Sequence, residues 1–303
     1  MDDVKNYDVI VLGNGSGSEI VEIALTHNAT VALIDQPPIG GTCQNFGCIP
    51  SKMLIFPADR LVDINNSEKL GVKADVSQID FQFIMNRMRN ARKKSQEYQK
   101  NGINQVPNLD YYQGDAFFID DETVQVKDHK IRGEKFFIGT GARPLIPPIK
   151  GLEKVDYLTN ESLLDLEHQP EGLIIIGGGF VAVEYAHFFS AMGTKVTILQ
   201  KSNRLIPSEE PEISDLLKDE LSKRMDVFTN IEAIEVKRKN DAIEVIGENV
   251  NDGSTKTFSA KQLLLAAGRT SNADKLKIDR VGIEIDEKGY IKVNEYMETM
   301  AGL

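Results

Sequence analysis

The sequence has little cysteine, fewer basic than acidic residues, and no long apolar run. Its 303 residues include two cysteines, Cys43 and Cys48, too few for the disulfide framework of a secreted protein. Lysine and arginine number 35 against 46 aspartate and glutamate, and the net charge of −11 has the wrong sign for a nucleic-acid partner. No stretch approaches the roughly 18 apolar residues of a transmembrane helix, and the N-terminus is acidic and polar. We therefore expect a cytoplasmic protein that binds neither nucleic acid nor membrane.

The length and the 41% hydrophobic content are those of a globular protein with two domains. Residues 7–12 predict a strand, 19–26 a helix and 30–34 a second strand. Because a strand, a helix and a strand follow one another, the sheet that they begin is expected to be parallel. A similar unit starts at residue 173.

The other elements follow from periodicity and turn residues. We expect a helix over 80–100, an antiparallel meander over 109–138, a linker over 141–148, a strand, helix and strand over 173–176, 180–192 and 195–199, and strand-like runs over 231–245 and 255–265. The predicted fold class is α/β, with two Rossmann-like dinucleotide-binding domains and a small antiparallel β-meander.

A glycine turn joins the first strand to the first helix. Gly13-x-Gly15 lies in this turn, and Asp35 ends the next strand, 20 residues after Gly15. In this context glycines let backbone N–H groups approach a pyrophosphate, and the acid accepts hydrogen bonds from a ribose. Ser18 replaces the third glycine of the motif. The alternative is a turn that only packs the helix on the strand.

A second glycine turn, Gly177-x-Gly179-x-x-Ala182, has the same flanking pattern. Two such motifs predict two bound dinucleotides. Where an acid would favour an unphosphorylated ribose, this chain has Gln200, with Lys201 and Arg204 close behind. This favours NADPH, with NADH as the alternative, unless the two cations are ordinary surface charges.

The two cysteines are five residues apart, between a glycine turn and a predicted helix N-terminus. A helix N-terminus favours a thiolate over a thiol, so we expect a reversible disulfide. The alternative is two unrelated buried thiols. A zinc site is not expected, because none of the four histidines has ligand spacing relative to the cysteines.

The segment from Gly40 to Lys52, GGTCQNFGCIPSK, resembles the redox-active signature of the FAD-dependent pyridine nucleotide-disulfide oxidoreductases, the group of dihydrolipoamide dehydrogenase and glutathione reductase. Similarity extends to GTGARP from Gly139, GGGFVAVEYA from Gly177 and AAGRTSNADKL from Ala266. Within the group, GNGSGS from Gly13 and EYAHFFSAMG from Glu184 are most similar to mycothione reductase-like members.

The resemblance implies a route for electrons from NADPH to FAD, then to the Cys43–Cys48 disulfide, and on to a small disulfide substrate. Cys48 would be the thiol beside the flavin, and Cys43 the thiol that attacks the substrate. Lys52 and Glu184 would form an ion pair near the flavin. Phe180 stands where relatives carry an aromatic gate or a small aliphatic residue, and it could instead pack the helix on the sheet.

The resemblance also implies the cofactor-binding residues. Those expected around FAD are Gly13, Gly15, Ser16, Gly17, Asp35, Gly41, Thr42, Lys52, Thr140 and Gly141. Those expected around the nicotinamide coenzyme are Gly177, Gly179, Phe180, Val181, Glu184, Gln200, Lys201 and Arg204. Three more cofactor-binding residues, Ala267, Gly268 and Arg269, are expected where the chain leads back towards the FAD domain.

Domain boundaries follow from the same comparison: an FAD domain over 1–148, an NAD(P) domain over 149–274 and a return segment over 275–303. Full members of the family continue into a dimerisation domain that supplies a histidine acid-base to the partner. This chain ends before that domain, so we expect impaired turnover here and a homodimer for the longer form. Alternatives are a dihydrolipoamide dehydrogenase using NAD, a mercuric reductase, and a non-catalytic nucleotide-binding module.

Overall fold

A computed structural model describes residues 4–299. The described chain divides into two compact units, residues 4–45, 91–143 and 269–299 in unit 1, and residues 46–90 and 144–268 in unit 2. Each unit contains a parallel sheet with helices, so the predicted α/β fold with two Rossmann-like domains is confirmed.

The predicted helices and strands occur in the expected order, and the structure adds elements that the sequence did not predict, among them the helix over Pro211–Ser222 and the strand over Asp226–Thr229. The helices are α1 Gly17–Thr26, α2 Gly41–Phe46, α3 Cys48–Asn66, α4 Phe81–Ile103, α5 Phe180–Ala191 and α6 Pro211–Ser222. The strands are β1 Lys5–Leu12, β2 Val31–Asp35, β3 Leu109–Gln113, β4 Ala116–Asp120, β5 Thr123–Val126, β6 His129–Ile138, β7 Ala142–Pro144, β8 Gly172–Ile176, β9 Lys195–Gln200, β10 Asp226–Thr229, β11 Ile231–Lys239, β12 Ala242–Asn249, β13 Thr255–Ala260, β14 Gln262–Leu265 and β15 Arg269–Ser271.

Unit 1 contains one six-stranded sheet in the order β3-β2-β1-β6-β5-β4. Strands β3, β2, β1 and β6 are mutually parallel, whereas β4, β5 and β6 pair in antiparallel fashion. The predicted meander over 109–138 is therefore antiparallel only in its last three strands. Its first strand, β3, pairs in parallel with β2 because the apolar β2, buried over Val31–Ile34, needs a neighbour on its free edge.

This sheet carries two neighbouring tyrosines, of which Tyr7 is buried and Tyr112 is half-buried. The hydroxyl of Tyr7 donates to Asp110 Oδ2 at 2.6 Å and lies 2.7 Å from the hydroxyl of Tyr112. The two rings meet edge to face, with centroids 6.2 Å apart. Burial and the contacts with Asp110 and Tyr112 raise the pKa of Tyr7, so its hydroxyl remains protonated.

Unit 2 contains a four-stranded parallel sheet in the order β10-β9-β8-β14 and a three-stranded antiparallel sheet, β11-β12-β13. The predicted strand-like run over 255–265 divides between the two sheets. Strand β13 pairs with β12, and after Lys261 the chain enters β14, which pairs in parallel with β8.

The core of unit 2 explains why residues 46–90 belong to it. Leu54 of α3 and Met85 of α4 are fully buried in the same cluster as Phe188 and Phe189 of α5, and Phe81 stacks on both phenylalanines. Each such side chain contributes about 1.5–3 kcal/mol by leaving water. This packing outweighs sequence proximity to the predicted 1–148 domain.

Helix α3 contains a proline, Pro57, whose missing N–H leaves the carbonyl of Met53 without its helical donor. Arg87 of α4 supplies the replacement, because its Nη2 donates to Met53 O at 3.0 Å. A guanidinium from a neighbouring helix thus completes the hydrogen bonding of α3.

Within residues 4–299, no helix has the length and apolar character needed to cross a bilayer.

Candidate functional site: two glycine turns and a dithiol

The first glycine turn, between β1 and α1, is shaped by a close approach of two backbone segments. Gly13 has φ of +106°. A Cβ at Gly13 would lie 2.3 Å from the carbonyl oxygen of Gly139, so only glycine fits. Gly13 N donates to Ile34 O at 2.7 Å, and Gly139 N donates to Leu12 O at 2.8 Å. Sequence reasoning did not single out Gly139, although it begins the GTGARP segment.

The close packing of helix on strand takes place at Gly17, whereas Ser18, which replaces the third glycine of the motif, is exposed. Gly17 is the first residue of α1, and a Cβ there would lie 2.6 Å from Val11 Cγ1. Gly15 and Ser16, just before it, are exposed at the N-terminus of α1. The turn therefore presents unpaired helical N–H groups to an incoming anion.

The loop before α2 approaches the same turn. Gly41 has φ of +67°, and a Cβ there would lie 2.5 Å from Gly15 Cα. Thr42, the next residue, is exposed. The structure thus brings Gly15, Gly41 and Thr42 together at one edge of unit 1.

Asp35, at the end of β2, has one satisfied and one unsatisfied oxygen. Its Oδ1 accepts a hydrogen bond from Gln36 N at 2.9 Å, whereas its buried Oδ2 has no partner within the described residues. Burial raises the pKa of this carboxyl to about 6, although backbone N–H groups of Gln36, Asn14 and Gly40 oppose the shift. A buried acceptor without a donor suits a ribose diol, which would supply one.

The segment after β6 is tied to the chain's return to unit 1. Asn272 Nδ2 donates to Thr140 O at 2.8 Å, and Asn272 N donates to Gly141 O at 3.0 Å. Arg143 makes a two-fold ion pair with Asp274, with distances of 2.9 and 2.7 Å. Arg269 donates to Ala142 O. The expected site residues Thr140, Gly141 and Arg269 are thus held in one loop cluster.

The second glycine turn repeats the first in unit 2. Gly177 has φ of +115°, and a Cβ there would lie 2.2 Å from Ala266 O. Gly177 N donates to Leu199 O at 2.9 Å, and Ala266 N donates to Ile176 O at 2.8 Å. These bonds match the four-residue arrangement around Gly13, so the duplication seen in sequence is also a duplication of geometry.

Helix α5 begins directly after this turn. Gly179 is its N-cap residue, and a Cβ added there would meet no other atom within 4 Å, so the approach to the helix N-terminus is open. Phe180, the first helical residue, is 56% exposed, whereas Val181 is half-buried. Ala267 and Gly268 lie in the loop between β14 and β15, and Gly268 O accepts from Leu145 N at 3.0 Å.

Gln200 and its two basic neighbours have partners within the protein. Gln200 is buried, and its Nε2 donates to Arg204 O at 3.1 Å, which fixes the loop after β9. Lys201 pairs with Glu232 at 2.7 Å. Arg204 pairs with Asp215 at 3.2 Å. Both ion pairs lie at the surface, where such pairs contribute only about 0–1 kcal/mol, so an incoming phosphate could compete for either cation.

Both thiols are exposed. Cys43 lies within the short helix α2, which the sequence did not predict, and Cys48 is the first residue of α3, close to the helix N-terminus that the sequence predicted after both cysteines. The first N–H groups of α3, which begins at Cys48, have no acceptors within the helix.

Lys52 follows Cys48 by one helical turn and forms an ion pair with Glu184 of α5. Its Nζ also lies 3.4 Å from Ser51 Oγ. This pairing, which the resemblance implied, puts a cation on the face of α3 that carries Cys48. Glu184 lies on the helix that the second glycine turn opens.

A second polar cluster joins α3 and α5, and sequence reasoning missed it. His187 Nε2 lies 2.9 Å from Asp59 Oδ1, and its Nδ1 lies 3.0 Å from Arg224 Nη2. Because arginine only donates, Nδ1 accepts and Nε2 carries the proton. Burial, followed by the charge of Arg224, lowers the pKa of His187. No sequence signal links these three distant residues.

The duplicated turns define a class, α/β proteins with two dinucleotide-binding units. A family model described as pyridine nucleotide-disulphide oxidoreductase matches residues 7–302. The chain belongs to this family, and the resemblance drawn from the sequence is confirmed.

Two relatives and one solved structure illustrate the range of the family. Mercuric reductase from Staphylococcus aureus is 31% identical over 296 residues, 97% of this chain and 54% of the relative. Mycothione reductase from Mycobacterium tuberculosis is 28% identical over 308 residues, 98% of this chain and 65% of the relative. The HOCl-induced flavoprotein disulfide reductase RclA from Escherichia coli, also solved as a Cu(II) complex, has a TM-score of 0.85 and 28% identity over 98% of this chain and 64% of its own. The chain therefore spans about half to two thirds of the length of these proteins.

Proposed function

We propose that the protein is a flavin-dependent disulfide reductase that takes electrons from NADPH and delivers them to a small, low-molecular-weight disulfide. Unit 1 would bind FAD and unit 2 the coenzyme. The observation that carries the proposal is the placement of an exposed thiol, Cys48, at the start of α3, one turn before the Lys52–Glu184 ion pair.

Unit 1 has the features that an FAD molecule needs. Gly13, Gly15, Ser16 and Gly17 would meet the pyrophosphate with backbone N–H groups, and the unpartnered Oδ2 of Asp35 would accept from a ribose hydroxyl. Gly41, Thr42, Thr140 and Gly141 would line the remainder. When bound, FAD supplies a carrier that accepts a hydride equivalent and passes two electrons to a dithiol.

The two thiols would then perform the exchange. The Cys43 thiolate attacks one sulfur of the substrate disulfide, and the first substrate thiol leaves with a proton. The Cys48 thiolate attacks Cys43 and releases the second thiol, which closes the Cys43–Cys48 disulfide. Two electrons and two protons pass to the substrate, so the protein must be reduced again before the next cycle.

Lys52 would stabilise negative charge where it develops next to Cys48. Glu184 keeps the ammonium in place, because a paired lysine has fewer orientations than a free one. Phe180, exposed at the start of α5, would cover the nicotinamide position until the coenzyme displaces it; its exposure supports this over a packing role.

For the coenzyme, we propose NADPH over NADH. Gln200 carries no charge that would repel a 2′-phosphate, and Lys201 and Arg204 would exchange their surface carboxylate partners for it. Gly177, Gly179 and Val181 would hold the pyrophosphate end, with Ala267, Gly268 and Arg269 closing the site.

The first experiment is an anaerobic reductive titration of the protein supplied with FAD. We expect NADPH to reduce the flavin, with a long-wavelength band from a thiolate beside it. Cys48→Ser should lose this band and the disulfide reductase activity while keeping flavin reduction, whereas Cys43→Ser should lose activity and keep the band. Full disulfide reductase activity in Cys48→Ser would refute the proposal, and bound flavin that NADPH does not reduce would favour a nucleotide-binding module.

The coenzyme choice has its own test. Removing both cations in Lys201→Ala/Arg204→Ala should raise KM for NADPH about tenfold or more and leave KM for NADH unchanged, since charge-assisted bonds contribute about 1.5–3 kcal/mol. The matched control is Lys223→Ala, which removes a similar surface pair with Glu220. An equal change for both coenzymes would contradict the proposal.

For the substrate, we propose a mycothione-like disulfide, tested by measuring disulfide reductase activity with such a compound. Activity with dihydrolipoamide and NAD, measured in parallel, tests the dihydrolipoamide dehydrogenase alternative. Reduction of a soft metal ion is a second candidate, because a mercuric reductase is among the relatives and RclA has been solved with Cu(II). Hg(II)-dependent NADPH oxidation with a higher kcat/KM than any disulfide would favour it. We also propose that the whole protein is a cytoplasmic homodimer.

A further inference from the structure

Helix α2, which carries Cys43, has almost no apolar anchor. It spans only Gly41–Phe46, and Asn45 is its one fully buried residue. A six-residue helix is not stable alone in water, so contacts with the rest of the protein must hold it. The orientation of the Cys43 thiol therefore depends on what surrounds Asn45.

The buried amide of Asn45 anchors the loop before α2. Its Nδ2 donates to Pro38 O, Ile39 O and Gly41 O at 3.2, 2.8 and 3.0 Å. Its Oδ1 accepts from Gln96 Nε2 at 2.7 Å. Both ends of the amide are satisfied, so its orientation is fixed.

The neighbouring Gln44 is held in the same way. Its Nε2 donates to Ser95 Oγ at 2.5 Å, and its Oε1 accepts from Gln99 Nε2. Arg92 Nη1 adds a long contact of 3.5 Å to Asn45 O. The four partners occupy positions i, i+3, i+4 and i+7 of α4, so they form one stripe on its surface. We call Arg92, Ser95, Gln96 and Gln99 the polar stripe.

We propose that the polar stripe is a positioning element for the Cys43 thiol. It grips the two residues that follow Cys43 through directional hydrogen bonds, which fix angle as well as distance. The stripe thus sets how readily Cys43 forms and breaks a disulfide. This role rests on the proposed exchange function of Cys43.

The test measures the equilibrium between reduced protein and glutathione disulfide, which yields the Cys43–Cys48 disulfide and two glutathione thiols. The equilibrium constant reports the effective concentration of one thiol at the other, which falls when α2 has more orientations. Gln96→Met should lower this constant about tenfold, equivalent to about 30 mV in potential. Alkylation by iodoacetamide, followed by peptide mapping, should show a changed rate at Cys43 relative to Cys48.

The matched control is Gln82→Met, the same substitution at an exposed position of the same helix, and it should leave both values unchanged. Ser95→Ala, a smaller change, should shift the constant in the same direction if Gln96→Met does not fold. A wild-type protein that forms no Cys43–Cys48 disulfide would overturn the proposed function itself. A wild-type protein that forms it, with Gln96→Met, Ser95→Ala and Gln82→Met all matching its constant, would overturn the positioning role alone.

Discussion

Replacing Asp35 by asparagine should make the flavin-free protein more stable and its FAD complex weaker. Burial raises the pKa of Asp35 from 3.8 to about 6. A raised carboxyl pKa means that ionisation is penalised in the folded protein. The penalty is present above pH 6, and it disappears as the pH falls from about 6 to 3.8.

The magnitude follows from the size of the shift. About two pH units, at about 1.4 kcal/mol each, limit the penalty at pH 7 to about 3 kcal/mol. Asparagine keeps an acceptor for Gln36 N and carries no charge, so Asp35→Asn should raise the free energy of unfolding at pH 7 by up to about 3 kcal/mol. At pH 4 the gain should be much smaller, because the carboxyl is then protonated in the folded state and only about half ionised in the unfolded chain.

The effect on FAD should have the opposite sign. A carboxylate makes charge-assisted bonds to ribose hydroxyls, and the amide loses about 1.5–3 kcal/mol of that interaction, a 10- to 100-fold rise in Kd. Urea unfolding at pH 7 and pH 4, with FAD titration by fluorescence, measures both. Asp121→Asn, at an exposed turn, is the matched control. An equal change in stability at both pH values, or an unchanged Kd, would refute the reasoning.

Two further predictions concern the contacts of α3 and α5. Arg87→Met should destabilise the protein by about 1 kcal/mol, because Met53 O loses its donor. The cost should be smaller in a Pro57→Ala background, which restores the helical N–H that bonds to Met53 O. If the free energies of unfolding measured in urea are additive for the two substitutions, this explanation is wrong. His187→Gln should reduce the loss of stability between pH 7 and pH 5. The pKa of His187 is lowered in the folded protein, so its protonation below pH 7 destabilises the folded state, and the charged ring must give up its contact with Arg224. A variant whose stability changes with pH as the wild type's does would show that His187 does not cause this loss.

Local sequence patterns predicted most of the helices and strands. Alternation and apolar runs located β1, β2, β8 and β9, and the segment that carries the two cysteines was expected to lie just before a helix, close to where α3 begins. The glycine spacings predicted turns whose geometry is now visible at Gly13 and Gly177. These features depend on neighbours within a few residues, which is the range over which sequence reasoning works.

Contacts between distant segments were beyond that range. The sequence did not predict that β3 pairs in parallel with β2. A short, half-buried strand can pair in parallel or antiparallel fashion, and its own residues do not decide between the two. Nor could the sequence show that Arg87 completes α3 or that Gln96 holds Asn45, since side chains 34 and 51 residues away give no periodic signal.

The tyrosine pair of unit 1 gives the protein an optical reporter. The chain has eight tyrosines and no tryptophan, so tyrosine dominates its near-ultraviolet circular dichroism apart from bound flavin. Unit 2 contains only Tyr157 and Tyr185 of these, and the hydrogen-bonded, edge-to-face rings of Tyr7 and Tyr112 lie in unit 1. Their signal should disappear when unit 1 unfolds. The melting of one nucleotide-binding unit can thus be followed without a label.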